Sequence, residues 1–137
     1  MKKIGIIMSS ILLVLSLTGC GCSKKEEKKK EEVKETYNTN QGVVEDKEVA
    51  GLKFTNTSLV STEYSAQLVT LVTNPTDQDI NVRIFNIYVK DKEGNVIVTL
   101  QGYVGGVVPK GESREIISNV DMNLDNADRV DYELVND

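Results

Sequence analysis

The sequence predicts an all-β fold, a small antiparallel sandwich of six or seven strands over residues 50–137. Three observations carry that expectation. From Ala50 onward Val, Ile, Leu and Thr dominate, and apolar residues recur with a period of two. Turn-forming residues interrupt the pattern at short intervals. No stretch of this region keeps a helical period.

The elements follow in order. Leu52 and Phe54 begin a first alternating strand. Residues 66–73 form a second, apolar on both faces through Leu68, Val69, Leu71 and Val72. Asn74-Pro75-Thr76-Asp77 is a turn, because Pro fixes φ while Asn and Asp can bond their own backbone. Ile80, Val82 and Ile84 share one face and Phe85, Ile87 and Val89 another. That change of phase implies a bulge near Ile84 or a strand buried on both sides. Asp91-Lys92-Glu93-Gly94-Asn95 reads as a hairpin loop, and Val96, Val98 and Leu100 alternate inward beyond it. Residues 102–108 are expected as a loop or loosened strand end, and Pro109-Lys110-Gly111-Glu112 as another turn. Ile116, Ser118 and Val120 mark one further strand, and Val130, Tyr132 and Leu134 the last.

Part of this pattern has a likeness. Asn74 closing a strand, the apolar run into Asp91-x-x-Gly94-x-Val96, and Val108-Pro109-x-Gly111-Glu112 before a further strand resemble the FxLYD-type immunoglobulin-like domains. Those domains recur in bacterial and archaeal surface proteins. The likeness spans roughly residues 66–120. Aligned on Asp91 the namesake stretch reads Ile87-Tyr88-Val89-Lys90-Asp91, keeping only its aspartate. The resemblance implies an Ig-like sandwich without an inter-sheet disulfide and with no catalytic site to carry over.

The N-terminus predicts location. Lys2 and Lys3 precede an almost unbroken apolar run over residues 4–17. Fourteen residues span about 21 Å even as a helix, short of a ~30 Å hydrocarbon core, so a removable signal is expected. The run Leu17-Thr18-Gly19-Cys20 then resembles the lipobox of bacterial lipoproteins. It implies cleavage between Gly19 and Cys20 and lipidation of Cys20, whose thiol can carry a thioether lipid. Membrane lipid becomes the expected partner of acylated Cys20, and the expected location is extracytoplasmic, anchored to the cell membrane. Cys22 is expected as an exposed thiol.

Residues 20–49 read as a lipidated N-terminus and a disordered charged tether. Positions 24–35 hold six Lys, five Glu and one Val, a composition with nothing to bury. The polar character continues through Tyr37, Gly42 and Glu45 to Glu48. This stretch is expected to act as a spacer, its glutamates opposing any contact of its lysines with anionic headgroups.

Composition narrows the function. Removing residues 1–19 takes away two Lys and no acid, leaving 14 basic against 21 acidic residues, net −7. Such acidity argues against a nucleic-acid partner. The chain has no His, which removes the commonest general base and metal ligand, and no enzyme is expected. Asp121, Asn123 and Asp125 place side-chain oxygens at positions 1, 3 and 5 of a calcium-type loop. Asn126 stands where Gly is needed and Tyr132 where a bidentate Glu should close the site, so the stretch reads as a self-capping turn and no metal or other cofactor is expected. Gly102-Tyr103-Val104-Gly105-Gly106 lacks the spacing and the Lys-Ser/Thr of a phosphate cradle, although Tyr103 is placed to stack on a ligand. Two function classes remain. One is a non-catalytic surface module that binds a protein, peptide or glycan; the other is an envelope spacer or accessory subunit of a membrane complex.

Overall fold

The computed structural model describes residues 32–136. The apolar run, Gly19, Cys20, Cys22 and most of the Lys/Glu stretch lie outside the described residues.

Ten strands and one short helix follow in chain order: β1 (Thr36–Tyr37), α1 (Gln41–Val44), β2 (Lys47–Val49), β3 (Leu52–Ser61), β4 (Ala66–Thr73), β5 (Ile80–Val82), β6 (Ile84–Lys90), β7 (Val96–Gly102), β8 (Gly106–Val108), β9 (Ser113–Val120) and β10 (Arg129–Val135). All pairings are antiparallel. One sheet runs β3-β4-β9, with β1 and β2 sharing the outer edge of β3. A second runs β10-β6-β7, and β5 and β8 form a small third pair. The fold is all-β and sandwich-like, as the alternation predicts, and compatible with an immunoglobulin-like arrangement. The strand count exceeds six or seven because four of the ten, β1, β2, β5 and β8, are only two or three residues long. Pieces that short leave no periodicity to read.

The two large sheets meet through aromatic rings. Phe54 of β3 approaches Phe85 of β6 edge-on with centroids 5.1 Å apart, and stacks on Tyr132 of β10 at 4.0 Å. Leu52, Leu59, Leu68 and Val72 complete one wall, and Ile87, Val89, Leu100 and Val130 the other. Burying each such side chain contributes about 1.5–3 kcal/mol relative to exposure. The Tyr132 hydroxyl is buried without a hydrogen-bond partner, and burial pushes its pKa up. The neighbouring Thr57 and Thr70 hydroxyls bond each other at 2.8 Å instead.

Three breaks in the alternation have physical causes. In β3 the inward set passes from Leu52 and Phe54 to Thr57 and Leu59, because one extra residue bulges between Thr55 and Ser58. Asn56 takes a φ of +52° there, a conformation Asn tolerates better than most residues. The phase change expected near Ile84 is resolved by the chain changing sheets: Arg83 alone separates β5 from β6. In β7, Val89 faces Val98 while Lys90 faces Val96, so Ile97 is an extra residue. Val96 is consequently exposed rather than inward.

The folded body begins earlier than the composition implied. Residues 36–49, expected as part of a disordered linker, belong to the folded body, which begins at Val33. β1 pairs with Val60 and Ser61, and β2 pairs with residues 52–54. Between them α1 buries Val43, only 1 % exposed. Polar side chains fasten this strap. Asn38 and Asn40 both donate to the Ala127 carbonyl at 2.7 Å, and Lys47 Nζ donates to the carbonyls of Gly42 (2.9 Å) and Val130. The domain boundary drawn at Ala50 falls inside the β2–β3 hairpin, whose two loop residues Ala50 and Gly51 have φ of +54° and +84°. The error has a clear origin: a single buried valine in a polar run gives no amphipathic period.

Candidate functional site

The strand registers define two ends of the body. The chain enters at the end formed by the β3–β4 turn, the 91–95 hairpin and residues 121–128. The opposite end carries the turn after β4, Arg83, the β7–β8 loop and the turn before β9. That far end is held by Asn74, which is fully buried. Its Nδ2 donates to the carbonyls of Gln78 (2.7 Å) and Val108 (2.9 Å), and its Oδ1 accepts from the Thr76 amide and hydroxyl. The Asn74 amide donates to Glu112 and its carbonyl accepts from Gly111, so the two turns named in the FxLYD likeness are joined by one side chain and its own backbone.

Among the described residues, no element covers the outer face of the β3-β4-β9 sheet. Cross-strand pairing sets its rows. Tyr37, Val60, Gln67 and Asn119 form one row, Ser58, Val69 and Ile117 the next, and Thr55, Leu71 and Glu115 a third. Val60, Val69 and Leu71 are half-buried, while Ile117 is 55 % and Tyr37 64 % exposed. β-Branched side chains suit a pleated strand, but on a solvated face polar ones would serve equally. At the Tyr37 row the face deepens into a cleft of about 480 Å³ bounded by Glu35, Tyr37, Thr62 and Asp121. Gln67 Nε2 donates to Asn119 Oδ1 across its floor (2.9 Å), and the Tyr37 hydroxyl donates to Glu35 (3.3 Å). The arrangement offers an apolar strip, one aromatic ring and two amides. It provides contacts for a bound molecule, with no nucleophile–base pair among these residues.

The sequence-predicted candidates lie elsewhere. In the Asp121–Asp125 stretch, Asn123 is committed at both side-chain atoms. Its Nδ2 donates to the Thr62 carbonyl (2.6 Å) and its Oδ1 accepts from the Asp125 amide (2.9 Å). Leu124 turns inward and its amide donates to Ser61 Oγ, so the loop clamps the β3 end. Asp121 and Asp125 are exposed, and among the described residues no three His, Cys, Asp or Glu side chains gather in a way that could hold a metal. Tyr103 projects from its loop 70 % exposed. Cys20 lies outside the described residues.

A charged cluster sits where the strap meets β10. Asp131 accepts from Lys90 (2.8 Å) and Arg129 (2.9 Å), with Lys47 at 3.7 Å. Burial opposes its charge, yet the hydrogen bonds and charges of Lys90 and Arg129 outweigh that and hold the carboxyl below its ordinary range. Burial pushes the Lys47 ammonium down, partly offset by Asp131 and Glu45. These groups fasten the strap and face no cleft.

The sheet-face residues are not legible in the sequence, because Tyr37 lies in a polar run with the composition of a linker. Gln67 and Asn119 are 52 residues apart, and only the β4–β9 register brings them together. A lone aromatic in a polar run was the one signal present. Comparison with protein-family models, with curated proteins and with solved structures found no match to this chain.

Proposed function

We propose that this chain is a lipid-anchored, extracytoplasmic, non-catalytic binding or adaptor module that engages a protein partner through the outer face of its larger sheet. The observation that carries this is the strip in which half-buried Val60, Val69 and Leu71 adjoin exposed Ile117 and Tyr37 on one face of a domain rich in acidic residues. Exposed aliphatics that share one face and are rimmed by polar groups mark interaction surfaces. A plain spacer has no need of them. Lipidation at Cys20, implied by the Leu17-Thr18-Gly19-Cys20 run, would put this face at the cell envelope. The FxLYD likeness agrees with such a surface role and adds no chemistry.

Two measurements test the proposal. A photo-crosslinking residue at position 117 is expected to capture a discrete protein in living cells, and Val69→Lys is expected to abolish the adduct. Equal yields from position 117 and from exposed Glu63, with no effect of Val69→Lys, would refute the sheet face as the interface. Mass spectrometry of the membrane fraction is expected to find a diacylglyceryl group on Cys20. Unmodified protein in the medium would refute the anchor.

A further inference from the structure

At the end of the body opposite β1's entry, three segments far apart in sequence converge on an open cleft of about 530 Å³. It is lined by Asn81 of β5, Arg83 of the β5–β6 junction, Tyr103 of the β7–β8 loop, Gly106 at the start of β8, and Asn136 after β10. The backbone that presents these groups is anchored outside the cleft. Val104, buried beside Tyr103, pins the loop to the core, and β8 pairs with β5 immediately beyond it. Gly105 and Gly106, at φ of +86° and +90°, turn the chain between those anchors, a conformation that side-chain-bearing residues resist. The Tyr103 ring is therefore presented outward by a loop fastened on both sides. The Arg83 amide donates to Asn136 Oδ1 at 3.1 Å, which fixes the junction where the chain changes sheets. Among the described residues the Arg83 guanidinium forms no ion pair.

From this geometry we infer a second binding site, for a saccharide bearing a carboxylate. An exposed tyrosine ring matches the C–H face of a pyranose. A guanidinium that meets no carboxylate among the described residues offers a planar two-point match for that of a sugar acid. The Asn81 carboxamide and the Asn136 amide group supply donors and acceptors for hydroxyls. The lining has no aliphatic pocket for the buried anchor that a protein partner requires. Arg83 is the one basic residue in the lining, which suits a single carboxylate rather than a run of phosphates. The inference is independent of the sheet face, which lies on other strands.

The test uses full-length, ¹⁵N-labelled protein in detergent micelles. Oligosaccharides of glucuronate, galacturonate and N-acetylmuramate are titrated, each beside its uncharged methyl ester. At least one acid form is expected to shift the amides of Gly105, Gly106 and Asn136 at millimolar concentration, and its ester to bind at least about tenfold more weakly. Arg83→Gln is expected to erase the difference between acid and ester, and Tyr103→Ala to weaken both. Ile117→Lys is expected to change neither. Absence of shifts with every acid, equal binding of acid and ester, or equal Arg83-dependent shifts with inorganic phosphate or an acidic peptide would each overturn the inference. Loss of crosslinking at position 117 with the saccharide shifts intact would fail the sheet-face proposal alone.

Discussion

Gly42→Ala separates a packed strap from a solvated tether by the sign of its effect. In an exposed helical turn the change is favourable by about 1 kcal/mol, since alanine is the better helix former. In this structure a Cβ at position 42 would lie 2.6 Å from the Asp128 carbonyl oxygen and 3.3 Å from Arg129 Cα. Both are backbone atoms. Asp128 is not free to retreat, because its amide donates to the Lys90 carbonyl at 2.8 Å and Arg129 is paired with Lys90. The strap must lift instead, disturbing Val43 and the Lys47 bonds. Overpacking of this kind costs roughly 1–3 kcal/mol and the helix-propensity gain offsets about 1 kcal/mol, so the net expectation is a loss centred on about 1 kcal/mol. Urea unfolding followed by far-ultraviolet circular dichroism suits a chain without tryptophan. With a slope near 1 kcal/mol per molar, the midpoint should fall by about 1 M. Val33→Ala, at a position 62 % exposed, should leave it unchanged. A midpoint that rises or stays put in Gly42→Ala would refute the packing of residues 36–49.

Four further outcomes are expected. Ala50→Asn should raise Tm by a few degrees, because Ala50 sits at φ +54° where alanine is disfavoured by about 1 kcal/mol and Asn-Gly is the preferred pair. Tyr132→Phe should leave stability equal or higher by up to about 1 kcal/mol, since the hydroxyl it removes is buried without a partner. Asn74→Asp should lower stability by about 2–4 kcal/mol in the same denaturation assay, since it replaces the amide donors facing the Gln78 and Val108 carbonyls with an acceptor. Asp131 carries a lowered pKa, so its contribution is present above the unfolded value near 4 and lost as pH falls through the folded one. Acid titration of stability should therefore show a gap between native protein and Asp131→Asn at pH 6 that closes toward pH 2.

Much of the sandwich was legible because alternation reports directly on burial. Phe85, Ile87 and Val89, and likewise Val130 and Tyr132, face the core as their spacing implies. The turns at Asn74 and Gly111 were legible from residue chemistry. What escaped depends on contacts distant in sequence. Val43 is buried only because β3 and β10 leave a trough for it, and nothing within residues 36–49 announces that trough. The bulge at Asn56 shifts the phase of β3 without a glycine to mark it. The candidate surfaces were the least legible. Tyr37, Gln67 and Asn119 share a row by register alone, and Arg83, Tyr103 and Asn136 meet only once the strands are assembled.

The strap also decides how the domain can be released. A protease cutting before Val33 would free an intact body. A cut between β1 and β2 would strip β1 with Tyr37 from the sheet face and loosen α1 from Ala127 and Val130. It would also bare the edge of β3 around Val60, an open row of amides and carbonyls ready to pair with another chain. Release of an intact body and exposure of a pairing edge are thus separated by only a few residues of backbone.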